Sequence, residues 1–102
     1  MKTIEIIREQ LSKGNYELSG HALIRAVERQ IYYFEIEEVG ENAEIIEEYH
    51  DDKYSPSCLV VGFSKKGKPL HIQVSRADTE YLKIITVYVP DEDNFINFRT
   101  RR

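Results

Sequence analysis

The sequence contains one cysteine, Cys58, and no tryptophan. A single cysteine cannot form an internal disulfide. Because it lies in the apolar run SCLVVGF, we expect a small buried side chain in a reducing compartment. No apolar run approaches the length needed to cross a bilayer, and the first ten residues, MKTIEIIREQ, lack a signal-peptide pattern. We therefore expect a cytoplasmic protein with no membrane association.

Several catalytic signatures are also missing. The sequence has no glycine-rich phosphate loop, no nucleophile elbow and no paired cysteines. Its three histidines, at positions 21, 50 and 71, have no metal-ligand spacing. We therefore expect neither a metal site nor a cofactor.

Length and charge indicate one globular domain with uneven electrostatics. The 102 residues fit a single domain over positions 1–102, with 41% hydrophobic and 31% charged residues. The net charge is −4, yet residues 35–52 hold nine of the 18 acidic residues and no Lys or Arg. The rest of the chain has 14 basic and nine acidic residues, a local net charge of +5. A basic face for a phosphate ligand is compatible with this polarity, although the acidic segment alone is more typical of a solvated helix face and loop.

The first 42 residues have helical periodicity. We predict helices over residues 4–13, 20–30 and 34–42, with Thr3 and Ser19 as N-caps of the first two. In the second helix the predicted buried side consists of Leu23, Ile24, Val27 and Ile31. Nearly opposite, His21, Arg25 and Arg29 are spaced four residues apart and form a basic stripe. Alone, such a stripe is more typical of a solvated helix face than of a ligand site.

Short apolar runs then replace the helical pattern and predict strands over residues 44–49, 57–63, 69–75 and 81–89. The polar connections have hairpin length, so we predict an antiparallel meander. The fold class is therefore α+β, with N-terminal helices packed on a four-stranded antiparallel sheet. We expect the tail DNFINFRTRR to form one last helical turn, with Phe95 and Phe98 packed inward and its arginines outside.

Strand alternation places polar groups on one face of this sheet. His71, Gln73 and Ser75 share a face of the third strand, and Thr86 and Tyr88 share one of the fourth. If these strands are neighbours, the five side chains form a polar patch. The alternative is the ordinary solvated side of an antiparallel sheet.

A metal-free set of histidine, arginine and hydroxyl groups suits RNA cleavage, since the RNA 2′-OH is itself the nucleophile. The candidate roles are His21 as proton carrier, Arg25 and Arg29 as phosphate clamp, His71 as second acid or base, Thr86 and Tyr88 as substrate orienters or additional acid, and Gln73 and Arg99 as substrate-binding residues.

Three segments in order carry a family resemblance: SGHALIRAVERQI, SCLVVGFSKKGKPLHIQVS and YLKIITVYVPD, followed by FRTRR. Together they resemble a bacterial domain-of-unknown-function family related to the RelE/ParE-like toxins and allied to BrnT. The resemblance implies a RelE-like, microbial-ribonuclease-like toxin fold and RNA as substrate. It also implies an antitoxin partner, frequently one with an MqsA-like zinc finger.

Two features depart from that family. Tyr33 stands where such sequences usually have Ser or Thr at the start of the third helix. The pI near 5.4 is low for a toxin that cleaves ribosome-bound mRNA. The alternative function is a non-catalytic protein-binding module, in which the basic stripe contacts a partner protein or its arginines are structural, or a ParE-like toxin acting on a protein target.

Overall fold

The computed structural model describes residues 1–51 and 55–102 and contains an α+β fold. The helices are α1 (Ile4–Ser12), α2 (Gly20–Glu28) and α3 (Tyr33–Gly40). The strands are β1 (Tyr16–Leu18), β2 (Glu44–Tyr49), β3 (Ser57–Phe63), β4 (Pro69–Ser75), β5 (Leu82–Tyr88), β6 (Phe95–Ile96) and β7 (Thr100–Arg101). Asp52, in the acidic segment, lies outside the described residues. Within the described ranges, no helix is long and apolar enough to cross a membrane.

The main sheet is mixed and has five strands, in the order β1-β5-β4-β3-β2. The predicted four-stranded antiparallel sheet was therefore wrong at one edge, where β1 pairs parallel to β5 with Tyr16 opposite Leu82. A three-residue strand is too short for its alternation to stand out in a sequence. The other strand pairs are antiparallel, as predicted.

One face of the sheet packs against the helices and forms the core. Leu70, Ile72 and Val74 of β4 are fully buried on this face, together with Ile7 of α1 and Val39 of α3. Strand alternation sends the intervening residues of β4 to the second face. The first face therefore contributes to the hydrophobic core, whereas the second face does not pack against the helices.

Helix α2 is rotated relative to the sequence prediction. Ala22 and Ala26 are its buried residues, whereas Leu23, Ile24 and Val27 are 47%, 58% and 72% exposed. The predicted buried side of this helix was therefore wrong for these three residues. Small alanine side chains allow a helix to lie close to the sheet, and α2 makes extensive contact with β5.

The C-terminal segment forms a hairpin and not the predicted helical turn. Strand β6 pairs antiparallel with β7, and Asn97 and Phe98 between them have φ of 53° and 62°. They are the central residues of a tight turn in which the Arg99 N–H donates to the Ile96 carbonyl at 3.0 Å, and Arg99 completes the three-residue connection between the two strands. Phe95 is buried as predicted, and Phe98 packs edge-on against Phe63 of β3. The hairpin therefore covers part of the second face of the sheet.

Candidate active site

His71 lies at the centre of the second sheet face. It is fully buried in β4 and stands directly opposite Tyr88 of β5, as Gln73 stands opposite Thr86. The predicted juxtaposition of these polar residues on one face is therefore confirmed. The Phe95 ring of the hairpin meets the imidazole nearly at a right angle, with ring centroids 4.5 Å apart. Because the hairpin covers His71, this face is not simply solvated.

Two hydrogen bonds define the protonation state of His71. Its Nε2 is bonded to the backbone oxygen of Phe98, and since a carbonyl only accepts, this nitrogen must carry the proton. In the neutral ring Nδ1 is then an acceptor, so the Tyr88 hydroxyl, 3.1 Å away, donates to it. Burial lowers the pKa of His71, partly opposed by the Phe98 carbonyl. The result is a neutral imidazole with a basic nitrogen facing Tyr88.

Tyr88 lines a cleft of about 400 Å³ between the end of β5, the C-terminus of α2 and the hairpin. Arg29 donates from Nη1 to the Val87 carbonyl at 3.1 Å, and Arg102 donates from Nε to the Glu92 carbonyl at 2.8 Å. Among residues 1–51 and 55–102, neither arginine forms an ion pair with a carboxylate. The full lining consists of Arg29, Tyr88, Val89, Asp91, Asn94, Phe95, Arg101 and Arg102.

Arg101 joins the hairpin to the sheet at the same cleft. Its guanidinium contacts the Glu47 carboxylate at 2.7 and 3.1 Å and lies over the Phe95 ring, 5.0 Å from the centroid. Burial acts to raise the pKa of Glu47, but hydrogen bonds from Arg101 and Tyr49 hold it below its usual value. Burial raises the pKa of Tyr88, and the Arg101 charge opposes this rise. Arg101 therefore both anchors the hairpin and acts electrostatically on the Tyr88 hydroxyl.

The structure brings only some of the predicted site residues together. Arg29 and Tyr88 line the cleft and His71 lies beneath Tyr88. The other candidates do not line the cleft. His21 is exposed on α2, and two arginines are paired with carboxylates at 3.1 Å, Arg25 with Glu28 and Arg99 with Glu44. In the sheet, Gln73 donates a hydrogen bond to Ser57 and stands opposite Thr86. About 12 Å of helix rise separates His21 from Arg29, so the basic stripe runs away from the cleft.

Two cleft residues were not among the predicted site residues. Arg101 and Arg102 are exposed, as expected, but a hairpin and not a helical turn carries them, and it places both at the cleft. The basic segment FRTRR was the sequence feature that could have indicated them. Its position in the molecule follows only from the geometry of the hairpin. In the described part of the chain, no group of three His, Cys, Asp or Glu side chains is placed to hold a metal ion.

A family model described as a domain of unknown function (DUF4258) matches residues 18–89, more than half of the chain. The chain belongs to this family. The DUF4258 region contains Arg29, His71 and Tyr88, while Arg101 and Arg102 come from the hairpin that follows it. Comparisons with curated proteins and with solved structures gave no match.

Proposed function

We propose that this DUF4258 protein is a metal-independent endoribonuclease, acting as the toxin of a toxin–antitoxin pair. The observation that supports it most is the Tyr88 hydroxyl, which donates to a neutral buried His71. It faces a cleft with two arginines, Arg29 and Arg102, that form no ion pair with a carboxylate of residues 1–51 and 55–102. The relation to RelE/ParE-like and BrnT-type toxins that the family resemblance implies would place the protein in the same class. RNA is the substrate because it supplies its own nucleophile.

Proton transfer would pass through Tyr88. Its oxygen accepts the proton of the RNA 2′-OH as the phenol passes its own proton to Nδ1 of His71. The 2′-oxygen forms a bond to phosphorus, the bond from phosphorus to the 5′-oxygen breaks, and the leaving oxygen takes a proton from water. His71 returns its extra proton to solvent through Tyr88. Since His71 is fully buried, it acts on the substrate only through this hydroxyl.

Phosphate charge would be balanced by the arginines. Arg29 and Arg102 are held by backbone carbonyls, which fix the side chains without neutralising them. Guanidinium groups match phosphate oxygens and stabilise the extra negative charge of a pentacoordinate phosphorus. Arg101 shares its charge with Glu47, so we assign it a smaller part of this effect.

The remaining predicted residues are assigned to flanking parts of the RNA. Arg25 and His21 continue the stripe of Arg29 along α2, at about 6 Å of helix rise per step, and would contact neighbouring phosphates. Arg25 would have to exchange Glu28 for a phosphate. Thr86 and Gln73 lie beside Tyr88 on the sheet and would orient the sugar or base. Arg99 would have to exchange Glu44 for a phosphate at the rim. The protein partner in this proposal is an antitoxin, with an MqsA-like zinc finger as the expected type.

The proposal is tested by incubating the purified protein with total RNA in the presence and absence of EDTA. We expect cleavage that EDTA does not stop, and its loss in His71→Gln and Arg29→Gln. Lys66→Gln removes one positive charge from the exposed β3–β4 turn and serves as the matched control. Absence of cleavage by the wild type would contradict the proposal, and growth inhibition without RNA loss would favour the protein-target alternative.

A further inference from the structure

Six large apolar side chains are exposed together on the helical side of the molecule. Leu23, Ile24 and Val27 of α2 and Tyr32, Tyr33 and Phe34 at the start of α3 are each between 47% and 72% exposed. Tyr32 stacks on Phe34 with ring centroids 5.7 Å apart, and Leu23, Val27, Tyr32 and Tyr33 line one shared groove. We call these six residues the apolar patch.

The apolar patch is large for a monomer. Its members offer roughly 600 Å² of apolar surface, the upper end of the largest patches on typical monomers and close to the ~800 Å² per partner of a standard interface. Scattered exposed apolar residues are ordinary, but exposing a continuous apolar group of this size to water is unfavourable in free energy. Some surface is therefore expected to cover it.

The shape of the patch indicates what that surface is. The groove between α2 and α3 has a volume of about 140 Å³, enough for part of one large side chain. Val27, at the wall of the groove, and Ile24, beside it, protrude from α2 and are 72% and 58% exposed. A surface that carries both a groove and protruding apolar side chains can fit a copy of itself across a two-fold axis.

Charges at the edge of the patch agree with this choice. Arg25 and Glu28, on the same helix, are bonded to each other at 3.1 Å and leave no net charge between them. A strongly charged protein partner would have to break this pair to find a complementary charge. A second copy presents the same balanced pair and meets no like-charge repulsion from it.

We propose that the apolar patch is the interface of a homodimer in which Ile24 and Val27 of each copy pack against the groove of the other. The proposal does not depend on the RNA-cleaving function, because the patch and the cleft have no lining residue in common. The dimer would cover the side of α2 that carries Leu23, Ile24 and Val27, and the start of α3, in both copies. It would leave the hairpin and the second sheet face accessible.

Analytical ultracentrifugation of the purified protein, from micromolar to submillimolar concentration, tests the proposal. We expect a species with twice the 12.0 kDa chain mass and a rise of roughly 30-fold or more in the dimer dissociation constant for Val27→Glu. Ile6→Glu is the matched control, since Ile6 is 42% exposed on α1 and does not line the groove. It should leave the dimer unchanged.

Ile24→Glu provides a second, independent variant on the same helix, and circular dichroism establishes that each variant is folded. Should Val27→Glu fail to fold, Ile24→Glu decides the matter. A wild type that stays monomeric at every concentration overturns the proposal, and so does a dimer that persists in the folded variants. A wild type that stays monomeric and binds a different protein through the apolar patch also overturns the proposal.

Discussion

The hydroxyl of Tyr88 donates a hydrogen bond to Nδ1 of His71 across two neighbouring strands, at 3.1 Å. The direction of this bond follows from the other side of the ring, where Nε2 must donate to the Phe98 carbonyl. Three separate segments thus form this hydrogen-bonded chain: β4 supplies the His71 imidazole, β5 the Tyr88 hydroxyl and the hairpin the Phe98 carbonyl. In the proposed mechanism this arrangement makes Tyr88 the group that meets the substrate.

Tyr88→Phe tests that arrangement while keeping the aromatic ring. We expect the RNA cleavage rate to fall about 100-fold or more, since the proton relay loses its first member. The free energy of unfolding should fall by about 1 kcal/mol, because the buried Nδ1 loses its partner. Tyr81→Phe, at an exposed tyrosine outside the cleft, is the control for both measurements. Equal cleavage rates in the two variants would remove Tyr88 from the mechanism.

Stability should depend on pH through His71. Burial lowers its pKa in the folded chain, whereas in the unfolded chain it stays near the ordinary 6.5. The unfolded state therefore binds the proton more readily, so this stabilisation is complete above about pH 6.5 and is lost as the pH falls toward the lower folded-state pKa. Urea unfolding across this range should show falling stability in the wild type and a smaller change in His71→Gln. Glu47 faces the same site, but its pKa lies below 4.5, so its loss of stability occurs at lower pH.

Arg29→Gln tests the phosphate contact separately from catalysis. Because Arg29 has no carboxylate partner in the described ranges, its charge is available to RNA. We expect weaker binding to fluorescent single-stranded RNA and a salt dependence of the logarithmic affinity that is shallower by about 0.7, the value for one phosphate contact. Fluorescence anisotropy at several salt concentrations measures both. An unchanged slope, equal to that of Lys66→Gln, would place Arg29 outside the RNA contact.

Phe95→Ala tests whether the hairpin supports His71. Phe95 is 4% exposed and packs on both the imidazole and the Arg101 guanidinium. We expect the free energy of unfolding to fall by about 3 kcal/mol and cleavage to fall with it, as His71 loses its cover. The neighbouring Ile96, 45% exposed, provides the control Ile96→Ala, which should change stability by less than about 0.5 kcal/mol. Similar urea midpoints for the two variants would contradict this account of the hairpin.

Two glycines in helices should respond oppositely to alanine. A Cβ at Gly40 would lie 2.5 Å from the backbone nitrogen of Ser12, so Gly40→Ala must separate α1 from α3 and should cost about 1–3 kcal/mol. At Gly20 a Cβ meets no atom within 4 Å, and Gly20→Ala should stabilise by about 0.5 kcal/mol. Thermal unfolding distinguishes the two. Stabilisation by Gly40→Ala would show that the helices can move apart at little cost.

The sequence predicts what depends on local pattern. Alternation in PLHIQVS and YLKIITVYV places His71 opposite Tyr88 and Gln73 opposite Thr86, as the structure does. It fails where tertiary contacts decide. Leu23, Ile24 and Val27 satisfy a helical apolar pattern, yet Ala22 and Ala26 face the sheet because they permit a closer approach.

The hairpin is the second such failure. Asn97 is a typical turn residue, but Phe98 beside it adopts a positive φ that a bulky residue rarely takes, so the sequence does not indicate a hairpin here. Without that turn, Arg101 and Arg102 have no predictable location. The sequence therefore predicts the cleft residues of β4, β5 and α2 but not those of the hairpin.

Product chemistry tests the central claim most directly. A short single-stranded RNA is incubated with the wild type and with Tyr88→Phe in EDTA, and the fragments are analysed by mass spectrometry. Attack by the 2′-OH predicts wild-type fragments ending in a 2′,3′-cyclic phosphate, with almost none from Tyr88→Phe. Intact RNA in both samples, or fragments ending in a 3′-hydroxyl, would contradict it.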